Sequence, residues 1–187
     1  MPVYTYDPPD RFVAGTVGQP GERTFYLQAR SGSQTTSVAL EKGQVAQLAE
    51  RLDELLDEIA RRTGDLSAAG DTADQAGKGD DGPLELPLNE DFTVGAIALA
   101  WDHDGERVII EAQELTEEPL EPLADDVPED GPAVLRVRIT AADARAFSRR
   151  ALKVVSQGRP PCPLCGLPLD PEGHICPRQN GHRAGHG

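Results

Sequence analysis

Two amphipathic segments, each entered directly from a short alternating run, constrain the fold more than any other feature of this sequence. From Lys42 to Arg62 the apolar positions Val45, Leu48, Leu52, Leu55, Leu56 and Ile59 follow the spacing of one helical stripe, with acids and arginines on the other face. Gly64 suits the stop, because a helix commonly ends on a residue in the left-handed region. The second segment starts at Thr140, whose hydroxyl can cap the amides near Asp143. Its apolar side is Ala144, Phe147, Ala151, Val154 and Val155, and Gly158 with Pro160 ends it. Just before it, Val137 and Ile139 alternate with Arg136 and Arg138, the period of a half-buried strand.

The two helices close two similar plans. The first reads RFVAGTV, a turn at QPGER, TFYLQAR, a turn at SGSQ, then TTSVAL into the helix. The second reads DFTVGAIALAW, a turn at DHDGER, VIIEAQEL, a long acidic connection, then AVLRVRI into the helix. Val38, Leu40, Val45, Leu48 and Arg51 match Val137, Ile139, Ala144, Phe147 and Arg150 at a constant offset of 99 residues. An internal duplication and a chance likeness of two generic β-β-β-α units both fit this pattern. The expected fold is α+β: two β-β-β-α units (residues 1–63 and 91–158) forming an antiparallel sheet packed by two helices. A flexible linker (64–90) joins them, the second unit carries an acidic loop (114–130), and a small zinc knuckle or ribbon (159–187) follows.

Composition matters chiefly through charge. With 32 acidic and 18 basic residues the net charge is −14, which opposes binding of polyanions over the whole surface. The acid is concentrated, however. Asp65 to Asp91 holds eight acids with one base, and Glu114 to Asp130 eight with none. Both stretches lack apolar periodicity and read as solvated, largely disordered segments, or as lures for a basic partner. The last quarter is basic instead, with Arg149, Arg150, Lys153, Arg159, Arg178 and Arg183 as candidate anion or nucleic-acid contacts. The longest apolar run, Val94 to Trp101, is too short to span a bilayer, and no secretory leader is visible at MPVYTYDPPD. A cytoplasmic protein is expected, with no membrane partner.

All three cysteines lie in CPLCGLPLDPEGHICPRQNGH. Cys162 and Cys165 form a CxxC knuckle with a glycine just after it, and Cys176 supplies a third thiolate. Zinc takes four ligands in a tetrahedron and favours thiolate and imidazole. A histidine would complete the set. His174 shares a face with Cys176 in an extended strand, whereas His182 also fits finger-like spacings. Three thiolates and an imidazole leave no open position, so the expected zinc is structural, and it would organise a segment poor in apolar residues.

The opening YTYDPPDRFVAGTVGQPGERTFYLQA and the ending CPLCGLPLDPEGHICPRQNG resemble a family of small actinobacterial proteins classed as a domain of unknown function. The resemblance covers the chain apart from the acidic linker. It implies a cytoplasmic protein without an established activity, and gene neighbours that are histidine-phosphatase-like and lipid-kinase-like. The family's ending carries the equivalents of Cys162, Cys165, His174 and Cys176 but usually an aromatic residue where this chain has His182, so the resemblance implies His174 over His182 as the ligand.

Other candidate chemistry is sparse. Trp101-Asp102-His103-Asp104 puts two carboxylates around a histidine but runs into Gly105, so it reads as turn chemistry. Tyr4, Tyr6, Asp7, Asp10 and Arg11 surround a Pro-stiffened segment that can be a pinned strand or a ligand groove. Arg23 and Arg107 occupy equivalent hairpin exits, where converging guanidinium groups would favour an anion. No phosphate loop, dinucleotide fingerprint or nucleophile elbow occurs, and no catalytic residue is assigned. The leading expectation is a non-catalytic binding or adaptor protein whose partner is another protein. RNA binding through the basic zinc-bearing end, and an enzyme or subunit acting on a phosphate-containing substrate, are the alternatives.

Overall fold

Tight turns set the framework. Ser31 and Gln34 close a hairpin over Gly32, whose φ of 58° is the left-handed conformation that glycine adopts without strain. Asp102 and Arg107 close another, in which the Asp102 carboxylate accepts the amides of Asp104 and Gly105. The computed structural model describes residues 2–19, 21–64, 80–157, 162–165 and 176. Within them run β1 (Val3–Tyr6), β2 (Arg11–Val17), β3 (Thr24–Ser31), β4 (Gln34–Leu40), α1 (Lys42–Thr63), β5 (Glu90–Asp102), β6 (Arg107–Glu114), β7 (Val134–Ile139) and α2 (Ala141–Ser156).

The strands form one mixed sheet in the order β1-β7-β6-β5-β4-β3-β2. It divides into two halves of the same design. In the first, β2, β3 and β4 are an antiparallel meander, and the start of β5 (Phe92 and Thr93) pairs parallel with β4. In the second, the rest of β5 with β6 and β7 is an antiparallel meander, and β1 pairs parallel with β7. Each half therefore borrows its fourth strand from the chain that leads into the other. The α+β arrangement read from the sequence is present, and these two parallel joints are what local alternation does not reveal. The change of partner along β5 falls at Gly95, where an added Cβ would lie 2.7 Å from the Leu115 Cα.

Both helices pack on one side, over a core that includes Leu27, Val38, Leu52, Leu56, Val108, Ile110, Leu135 and Val137. The helices cross at Ala49 and Ser148, both fully buried, where the Ser148 hydroxyl donates to the Ala49 carbonyl at 3.1 Å. Those two positions are 99 residues apart, as are the caps Glu41 and Thr140. A contact between equivalent residues is what a local two-fold axis between the helices requires. Arg145 adds a clamp to Asp53 and Asp57 of α1.

Two helix boundaries follow the sequence, while the expected stop at Gly158 and Pro160 lies outside the described residues. Gly64 ends α1 at φ 63°, and the Thr140 hydroxyl accepts the Asp143 amide at 3.1 Å. Thr140→Ala should cost about 1 kcal/mol in a urea titration, the usual value of a lost N-cap; an unchanged midpoint would contradict that role.

The described parts of the acidic stretches are held to the sheet by specific contacts. Gln28 and Glu111 occupy matching sites in the middle strands β3 and β6, paired across the ladder with Ser37 and Arg136, which are 99 residues apart. Both are buried. Gln28 accepts the Glu85 amide and donates to the Glu85 carbonyl, fixing the end of the linker across the sheet. Glu111 accepts the Leu123 amide and Arg136 donates to the Ala124 carbonyl, fixing the 114–130 loop likewise. The expectation of a largely disordered loop there is corrected by these contacts. Residues 65–79 of the linker, and most of 159–187, lie outside the described residues.

Candidate metal centre

Cys162 and Cys165 stand at the two ends of a short described turn, 162–165, and Cys176 lies beside them. The three sulfur atoms all lie within 4.8 Å of one another, with Cys162 and Cys176 at 4.0 Å. A disulfide needs about 2.05 Å, so these are thiols. Tetrahedral zinc with bonds of about 2.3 Å would set its sulfurs about 3.8 Å apart. The spacing therefore matches three corners around one ion. Cys162 and Cys176 are buried and Cys165 half-buried. The backbone amides of Cys165 and Leu164 donate to the Cys162 sulfur and hold its pKa below the ordinary thiol value. A knuckle that stabilises thiolate in this way suits a cation. His174 and His182 lie outside the described residues, as do Arg159, Arg178 and Arg183.

A second feature is a cleft of about 740 Å³ between β2 and the first half of α2. Its floor is aromatic, with Phe12 and Phe147 stacked at 4.6 Å between centroids and 11° between planes. One wall is ionic. Arg11 holds Asp80 through two hydrogen bonds, at 2.5 and 3.0 Å, and also donates to the carbonyls of Gly82 and Pro83. Arg150 donates to the carbonyls of Ala14, Asp80 and Gly82. The hydrogen bonds from Arg11 hold the Asp80 carboxyl below the usual range, while burial lowers the Arg150 pKa. Segment 80–85 is thus strapped to the edge of the sheet by two arginines from different elements. Leu84 packs over Gly15, where an added Cβ would meet it at 2.6 Å.

Of the residues singled out at the amino end, the cleft gathers Asp10 and Arg11. Asp10 accepts the Gly32 amide at 2.7 Å. Tyr6 is core, its hydroxyl 2.7 Å from Thr36, and Tyr4 reaches Asp91 at 3.4 Å. Asp7 pairs with Arg138 at 3.5 Å. Arg23 lies over the Phe25 ring, and Arg107 donates to the carbonyls of its own turn, so the two share no partner among the described residues. In the basic stretch, Arg150 is committed to the strap, Lys153 pairs with Asp81 at 3.1 Å, and Arg149 is exposed. His103 and Asp104 sit in the β5–β6 turn.

Sequence reasoning missed Asp80, Gln28 and Glu111. Asp80 stands in an acid run that reads as solvated. The other two stand on the apparent outer face of their strands, where burial comes only from a loop folding back.

Among the described residues, no helix is long and apolar enough to cross a membrane. No curated protein and no solved structure matches the chain. Residues 4–176, from β1 to the third cysteine, match the model described as protein of unknown function (DUF3090), and the chain belongs to that family.

Proposed function

We propose that this chain is a non-catalytic binding protein, an adaptor whose carboxyl end is shaped by a structural zinc ion. The convergence of Cys162, Cys165 and Cys176 carries the reading. His174 is the fourth ligand in this account, with His182 the alternative. Three thiolates and one imidazole fill a tetrahedral shell and place much negative charge on the metal, which suits it to fixing a turn rather than to activating water. The ion would supply folding energy to a segment that has few apolar side chains of its own. The α+β body then serves as a rigid platform, and its clefts as the recognition surface.

Affinity capture from an extract of the source organism tests the reading. The zinc-loaded chain is compared with a Cys162→Ser, Cys165→Ser double variant, alongside a phosphate-release assay on a panel of phosphomonoesters. The expected result is one defined protein partner retained by the zinc-loaded chain and depleted with the double variant, without phosphate release. Steady phosphate release with no captured protein would overturn it.

A further inference from the structure

The local two-fold gives the strapped cleft a counterpart. A smaller cleft, of about 250 Å³, lies between α1 and β5. Its helical wall is Gln44, Gln47, Leu48 and Arg51, each 99 residues before Asp143, Ala146, Phe147 and Arg150 of the first cleft. Equivalent residues thus build both walls, yet the two clefts differ in what covers them.

At the first cleft, the strap covers the edge of β2. Arg150 anchors it by carbonyl oxygens, with Leu84 seated against the strand. At the second, the pairing of β4 with β5 ends at Thr93, so β5 from Ala96 onward is paired on one side only, with β6. The Gln44 amide reaches the carbonyls of Val94 and Gly95 and no further along the strand. Ile97 and Leu99 stay half-buried on this edge. Arg51, the counterpart of Arg150, is exposed and has no ion pair or hydrogen bond among the described residues. An apolar strand edge beside an unpaired guanidinium is a template for an extended acidic segment.

We propose that this second cleft docks an extended acidic segment of a partner protein, with Arg51 holding it as Arg150 holds the strap. The chemistry is charge-complementary: backbone and carboxylate oxygens to the guanidinium, and a leucine to the apolar floor of Leu48, Ile97 and Leu99. The chain's own strap is committed to the first cleft, and its 114–130 loop is tied at Leu123 and Ala124. Among the described residues both acidic segments are thus tied elsewhere, and the occupant assigned to the second cleft is a segment of a partner protein. This rests on the binding-protein reading and names the partner's chemistry.

The probe is a fluorescein-labelled peptide of the strap's own sequence, DDGPLELPL, titrated with the zinc-loaded chain at low salt and read by anisotropy. Saturable binding is expected. Arg51→Glu should weaken it about tenfold or more, the worth of a charge-assisted hydrogen bond, while Arg107→Glu, the same charge change elsewhere, should alter it less than about twofold. Thermal melts of both variants should overlay that of the parent chain, and Arg51→Gln provides a neutral variant should the glutamate perturb α1. Absence of saturable binding, or equal binding by Arg51→Glu, would overturn the proposal. Equal capture of the partner by Arg51→Glu would remove this cleft while leaving the binding-protein reading intact.

Discussion

Replacing Glu111 with alanine should lower the unfolding free energy by about 3–5 kcal/mol, the cost of breaking a buried ion pair from one side. The Glu111 side chain is 2% exposed and lies between Arg136, Gln113 and the Leu123 amide. Alanine strands three donors at once: the guanidinium of Arg136, the amide of Gln113 and the backbone of the loop. Burial alone would raise the Glu111 pKa, but the hydrogen bonds from Gln113, Leu123 and Arg136 outweigh it and hold the value below the ordinary carboxylate range. A carboxyl with a depressed folded pKa contributes stability that is present above its unfolded value and is lost as pH falls through the folded one. The gap between the parent chain and Glu111→Ala should therefore be full near neutrality and shrink below pH about 4. Urea titrations at a series of pH values measure it. A difference under about 1 kcal/mol near pH 7 would mean that the loop is not held through this carboxylate.

The second large effect is on the metal. Cys162→Ser with Cys165→Ser should take the zinc content of the purified chain from about one per chain to none, because a site left with one thiolate and one imidazole forfeits most of the affinity of a structural site, about 10–16 kcal/mol in small zinc domains. Elemental analysis reads the content, and limited proteolysis reads the consequence. Cleavage after the end of α2 should accelerate, while the helical signal and melting of the sheet and its two helices change little. Their core does not include the cysteine cluster. Undiminished zinc in the double variant would assign the metal to other ligands.

The sequence was most informative where the signal is local. The stripe from Val45 to Ile59 and the Thr140 cap place both helices, because a 3.6-residue period and a capping hydroxyl are short-range features. The CxxC spacing marks two of the three clustered cysteines for the same reason. Pairings between distant segments left no such trace. Nothing near Val3 announces a parallel partner at Val134, since parallel ladders join segments through long connections. Asp80 reads as one acid among many until Arg11 and Arg150 converge on it from β2 and α2. Gln28 and Glu111 read as solvent-facing alternates of their strands, and become buried anchors once the acidic segments fold back across the sheet. The offset of 99 residues does survive in three dimensions, at the helix caps, at the Ala49–Ser148 crossing and in the helical walls of the two clefts.

X-ray absorption at the zinc edge, on the 187-residue chain purified without added metal, tests the central claim most directly. The account predicts a four-coordinate ion with three sulfur neighbours at about 2.3 Å and one nitrogen at about 2.0 Å. The nitrogen should be lost in His174→Ala and retained in His182→Ala. A chain that carries no zinc, or an ion surrounded mainly by oxygen with an exchangeable water, would contradict it.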